Sequence, residues 1–214
     1  MFINLEKVNK TINGSCILKN INVKIEKGNC CGFVGRNGCG KTMLLRTVAG
    51  YMSTDGKVEC DGKLVGNGRF IKNAGIIIGE TDFISGMSGY NNLKALAQIN
   101  SKVDDERINE VLRAVGLFEA KDKKYRKYSL GMKQRLRIAQ AIMEYPEILI
   151  LDEPFNGLDK TGCTEIMQLL EQLKKEKVTI LLTSHNDSDI KRLCDKVYEM
   201  DNGKIINEVN IDEN

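Results

Sequence analysis

"GRNGCGKT", residues 35–42, decides how this chain folds. It fits the pattern G-x-x-x-x-G-K-[ST] and sits between the apolar run "NCCGFV" (29–34) and the helix-like "MLLRTVAG" (43–50). So much glycine makes a poor helix and a poor strand. Such a stretch brings consecutive backbone N–H groups close to an anion, with the N-terminus of the next helix aimed at the same point. Gly35, Gly38 and Gly40 leave that approach open, with Asn37 and Cys39 between them. Lys41 is placed to reach the β- and γ-phosphates of a nucleotide, and the Thr42 hydroxyl to hold Mg²⁺. A turn that bound nothing would not need a buried strand before it and a helix after it.

Working outward, strands and helices alternate. "FINLEKV" and "INVKIEKG" alternate apolar and polar residues, as half-buried strands do. "DGKVECDGKLV" predicts a small hairpin with turns at Asp55-Gly56 and Asp61-Gly62. "AGIIIGE", "EILILDEP" and "VTILLTSH" read as buried strands, and "VYEMDNGKIINEV" as a hairpin about Asn202-Gly203. Three helical segments, "GYNNLKALAQI", "DDERINEVLRAVGL" and "SLGMKQRLRIAQAIM", interrupt this series. The pattern is α/β with a parallel sheet, right-handed crossovers and a helical insertion over about 84–144. The remaining segments, 1–83 and 145–214, belong to one domain spanning 1–214.

Three further places carry chemistry. In "ILILDEP" four apolar residues run into Asp152 and Glu153, at the carboxyl end of a strand, where open α/β sheets place their ligands. Asp152 is suited to Mg²⁺ and Glu153 to taking a proton from an attacking water. The lone histidine, His185, ends the next strand and could hydrogen-bond a γ-phosphate or that water. In "YSLGMKQRL" (128–136) Ser129 is a good helix N-cap, yet Gly131 falls in the first turn, at a cost of about 1 kcal/mol against alanine. Glycine there would let an anion come close to a second helix N-terminus.

Composition narrows the field. The 214 residues carry a net charge of +3, too small to argue for nucleic acid. The dense basic run "KDKKYRK" (121–127) reads as a solvated loop. No segment reaches the ~20 apolar residues of a membrane span, and "MFINLEKVNK" lacks a signal-peptide core, so a cytoplasmic protein is expected. Seven cysteines without a C-x-x-C pair, and one histidine, argue against zinc. The cysteines read mostly as small buried hydrophobes in a reducing compartment.

Taken in order, these motifs resemble the nucleotide-binding domain of an ABC (ATP-binding cassette) transporter, over nearly the whole chain. Walker A is Gly35–Thr42, the signature Tyr128–Met132, Walker B ends at Asp152, Glu153 is the catalytic glutamate, the D-loop "NGLD" ends at Asp159, and His185 is the switch histidine. The resemblance implies a P-loop NTPase (RecA-like) core with an N-terminal antiparallel β subdomain and an inserted α-helical subdomain. It implies ATP and Mg²⁺ as cofactors. It also implies a second such domain, identical or a paralogue, paired head to tail so that Ser129 and Gly131 of one chain close over the γ-phosphate held by the other. A transmembrane permease subunit would be the load, keeping the chain on the inner face of the cell membrane, with no nucleic acid partner.

The signature reads Y-S-L-G-M where L-S-G-G-Q is common, a form similar to bacterial exporters of drugs and antimicrobial peptides. Glu80 stands where the family has a glutamine near Mg²⁺; a carboxylate can bind the ion but cannot donate a hydrogen bond. No aromatic residue stands where the family stacks one on adenine, and Ile12 is the substitute. Cys39 either fits as a small side chain or lays its thiol against the phosphates, where alkylation would block ATP. Two other readings stand beside the transporter: a non-transport ABC ATPase on ribosomes or nucleic acid, and an unrelated small-molecule kinase.

Overall fold

The computed structural model describes residues 1–79, 83–100, 103–184, 190 and 192–211. The "ILIL" of 148–151 shows how the layers arise. These residues form β7 (Ile148–Leu151), buried at every position. Successive side chains of a strand point to opposite faces. Accordingly Ile148 and Ile150 join one apolar cluster and Leu149 and Leu151 the other. β8 (Thr179–Thr183) and β3 (Cys30–Val34) alternate likewise, sending Leu181, Cys31 and Phe33 to one side and Ile180, Leu182 and Cys30 to the other.

Among the described residues, the central sheet has the order β10-β9-β3-β8-β7-β6. β6 (Ala74–Ile77), β7, β8, β3 and β9 (Lys196–Asp201) run parallel, and β10 (Lys204–Asn210) folds back against β9. The turn joining β9 and β10 is Asn202-Gly203, both at positive φ (46° and 79°), as a tight primed turn requires. A second, antiparallel sheet has the order β2-β1-β4-β5, from β1 (Ile3–Ile12), β2 (Ser15–Ile25), β4 (Asp55–Cys60) and β5 (Lys63–Leu64). It covers one face of the central sheet together with α1 (Lys41–Ala49), closing a core around Phe33, Leu44, Leu45 and Tyr198.

The other face carries α5 (Lys160–Lys175) and the helical segment: α2 (Gly89–Asn100), α3 (Asp105–Ala114) and α4 (Leu130–Ile142). α4 lies directly on β6. A Cβ built on Gly75 would stand 1.9 Å from the Ala141 carbonyl oxygen, so only glycine permits that approach.

The Asp55-Gly56 turn expected from the sequence does not form. Both residues lie inside β4, opposite an irregularity in β1 where the register shifts between Glu6 and Asn9. Gly56 adopts φ 96°, and a Cβ there would meet the Lys7 carbonyl oxygen at 2.4 Å. The Asp61-Gly62 turn forms as expected, between β4 and β5.

The run 121–127 is mostly solvated and is anchored by one of its own rings and one just before it. Tyr125 is buried, Lys121 stands 4.3 Å over the Phe118 ring, and residues 122–124, 126 and 127 are exposed. Four of the seven cysteines are buried, and none of the seven is in a disulfide. Among the described residues no helix is long and apolar enough to cross a membrane.

Candidate nucleotide site

Residues 35–42 wrap the carboxyl end of β3. Gly35, Gly38 and Gly40 take φ values of 148°, 80° and 113°, conformations that side chains resist. Gly35 is also pressed from behind: a Cβ there would lie 2.2 Å from the Met200 carbonyl oxygen and 2.8 Å from the Cys39 sulfur. Gly35→Ala should therefore destabilise the fold by about 2 to 4 kcal/mol, through strain plus overpacking. Denaturant unfolding would show it, and an unchanged midpoint would contradict this packing.

α1 follows its N-cap residue Gly40, and no side chain caps it. Its first-turn N–H groups therefore face the loop, as an anion site needs. Lys41 is only 7% exposed, and its Nζ donates to the carbonyls of Gly35 (2.7 Å) and Arg36 (3.4 Å). The ammonium is thus held across the mouth of the loop.

Two strands complete the cradle. The Thr42 hydroxyl donates to one carboxylate oxygen of Asp152 and the Thr183 hydroxyl to the other, both at 2.8 Å. The Glu153 amide donates in turn to the Thr183 hydroxyl at 2.8 Å. Glu153 itself sits at φ 50°, a left-handed conformation uncommon outside glycine and asparagine. Such strain concentrates at functional sites, held by the surrounding structure. Here the holders are Thr183 and, one residue on, buried Gln134 of α4, whose amide donates to the Pro154 carbonyl at 3.0 Å.

A cleft of about 350 Å³ results, lined by Ile17, Asn37, Gly38, Gly40, Lys41, Thr42, Met43, Asp152 and Glu153. The sequence motifs at 35–42 and 152–153 thus meet in space. Two expectations shift. Ile12 pairs with Ser15 at the end of the β1–β2 hairpin and does not line this cleft; the apolar residue of the hairpin that does is Ile17. The Cys39 thiol does not face it either. Cys39 is 5% exposed and packs in the apolar cluster beneath the loop, which leaves the small-side-chain reading.

Glu80 and His185 lie outside the described residues.

Thr183 and Gln134 were not singled out from the sequence. A threonine and a glutamine in apolar surroundings, both buried here, were the available signal.

The third motif builds a separate cleft. Ser129 caps α4, its hydroxyl accepting from the Met132 amide at 3.2 Å. Gly131 faces the loop before α5: a Cβ there would stand 3.0 Å from the Gly157 carbonyl oxygen. So the glycine in the first turn of α4 also answers a packing need. Asp159 caps α5 through the Gly162 amide at 2.9 Å. Arg135 ties the region together, donating to the Val115 carbonyl at 2.7 Å and to Glu165 at 2.6 Å. The cleft measures about 710 Å³, and Ser129, Leu130, Gly131, Gly157 and Asp159 are among its lining residues. It shares no lining residue with the cradle.

The family pattern described as "ABC transporter" matches residues 18–156. The "Uncharacterized ABC transporter ATP-binding protein YybJ" of Bacillus subtilis (strain 168) is 40% identical over 205 residues, covering 95% of this chain and 94% of that protein. The "Bacitracin transport ATP-binding protein BcrA" of Enterococcus faecalis is 39% identical, covering 99% and 70%. A dimeric structure of the ATP-binding cassette MJ0796 in a post-hydrolysis state, bound to ADP and Pi, superposes with a TM-score of 0.89 over 99% of both chains. At 21% identity, that likeness speaks to the fold.

Proposed function

The chain belongs to the ATP-binding proteins of ABC transporters, an ATPase family, and from that premise we propose that two cassettes, identical or paralogous, close over two ATP molecules to drive a separate membrane subunit. The observation that carries this reading is the separation of the two clefts. Ser129 and Gly131, at the N-terminus of α4, stand with Asp159 in a cleft that shares no lining residue with their own chain's cradle. A cradle in a second chain gives them a phosphate to bind.

In each site Lys41 and the loop amides hold the phosphates, and Ile17 contacts the nucleoside by apolar contact, with Ile12 further out along the hairpin. Glu153 accepts a proton from the attacking water. Thr42 and Asp152 present a hydroxyl and a carboxylate side by side, 2.8 Å apart, the hard oxygen set that Mg²⁺ takes alongside substrate phosphates. When bound, the ion neutralises charge developing on those phosphates. Glu80 would add a third oxygen and His185 a hydrogen bond to the γ-phosphate.

The membrane subunit finds its grip beside α1 and α2. Tyr51 and Phe70, 54% and 58% exposed, pack edge to face at 5.9 Å. Tyr51 also borders, with Leu96 and Ile99, a cleft of about 510 Å³. Exposed aromatic residues of this kind mark interaction surfaces. This docking would hold the chain at the inner face of the membrane. Kinship with a bacitracin transport protein supports export of an antimicrobial compound.

Mixing tests the shared site. Lys41→Ala weakens the cradle and Ser129→Arg blocks the signature, so at ATP concentrations near the wild-type affinity either chain alone should hydrolyse little ATP. A mixed pair contains one intact site, and turnover should return on mixing. If two folded, inactive variants stay inactive together, the shared-site reading fails.

A further inference from the structure

Cys30 opens β3, and Cys194 lies two residues before β9. Their sulfur atoms are 3.5 Å apart, both buried in the apolar layer on the α5 side of the sheet. The backbones beside them are already joined. The Asp195 amide donates to the Cys30 carbonyl, and the Cys30 amide donates to the Asp195 carboxylate, each at 2.8 Å. β3 and β9 then run parallel from Cys31 and Lys196 onward. Cys31 packs into the opposite layer, as strand alternation requires.

We propose that Cys30 and Cys194 form a dithiol that closes to an intramolecular disulfide on contact with hydrogen peroxide. Cys194, 4% exposed against 0% for Cys30, is the more open of the two. Its thiolate attacks one peroxide oxygen, the O–O bond breaks, and hydroxide leaves, giving a sulfenic acid. The Cys30 sulfur then displaces the sulfenic oxygen, which departs as water. Two thiols and one hydrogen peroxide thus become one disulfide and two waters. Burial pushes the Cys30 thiol well above its usual range, opposed by the Lys174 ammonium paired with Asp195. The Cys30 attack on the sulfenic acid is therefore slow near neutral pH and faster as pH rises. The bond would tether β3, which carries the nucleotide cradle at its far end, to the chain entering β9. The proposal stands independently of the transport reading.

The test treats the intact chain with hydrogen peroxide, blocks remaining thiols by alkylation after unfolding, and maps peptides by mass. The expected product joins Cys30 to Cys194, two hydrogens lighter than the parent peptides and released by reductant. The bond spans 164 residues. It should therefore raise the unfolding midpoint by about 5 to 15 °C. Cys31→Ser should keep the cross-link and Cys194→Ser should lose it. Recovery of Cys30 and Cys194 as alkylated thiols or separate oxygen acids, while exposed Cys16 is oxidised, would overturn the proposal. Mapping of the wild-type chain decides this even if a variant fails to fold.

Discussion

Glu153→Gln should lower the turnover number for ATP by about 10²- to 10⁴-fold, the contribution of a positioned general base. The amide has the same shape but cannot take the proton from water. It should also fit the same backbone: the Glu153 amide keeps its bond to Thr183, and the φ of 50° is imposed from outside by Thr183 and Gln134. ATP affinity should therefore stay within a few-fold of wild type. The effect would fall on the chemical step alone, as loss of an interaction made in the transition state does. Single-turnover hydrolysis beside equilibrium binding separates the two. A variant that hydrolyses ATP at the wild-type rate would remove Glu153 from the chemistry.

Lys41→Ala should act at the earlier step. Hydrogen bonds from a charged donor contribute about 1.5 to 3 kcal/mol, so loss of the ammonium should weaken ATP binding by about 10- to 100-fold. The empty loop loses something too, since Lys41 bridges to the Gly35 carbonyl at 2.7 Å. Lys41→Arg should not restore affinity, because a planar fork does not replace a compact ammonium in this opening. Calorimetric titration with ATP measures both variants. An affinity within twofold of wild type for Lys41→Ala would mean that the loop binds phosphate without its lysine.

Much of this was legible in the sequence because local rules and the global fold agree. The alternation in "ILIL" fixes two faces and the run of glycines in 35–42 fixes a loop. The Ser129 cap marks the start of α4. The failures share one cause: they depend on what lies across the fold. Asp-Gly is a strong turn signal, yet Gly56 is a strand residue whose missing Cβ admits the Lys7 carbonyl from another strand. Loop side chains have no period to reveal their direction, so Cys39 looked like a cradle residue although its thiol enters the core. On the β1–β2 hairpin, the choice between Ile12 and Ile17 was set by how that hairpin leans on the loop. The Ile17 carbonyl oxygen would stand 3.2 Å from a Cβ on Gly40. Thr183 and Gln134 act through bonds to Asp152 and Pro154, 31 and 20 residues away in sequence. Nothing local to either residue announces those bonds.

The central claim is that each ATP site is completed by a second chain. Light scattering on the Glu153→Gln protein, with and without ATP and Mg²⁺, tests it most directly. A mass of 24.0 kDa per chain should double when ATP is added, since binding is retained and hydrolysis is not. Adding Ser129→Arg, which leaves the cradle untouched, should hold the protein at the single-chain mass while ATP still binds. A mass that does not double with ATP, or that doubles regardless of Ser129→Arg, would contradict the account.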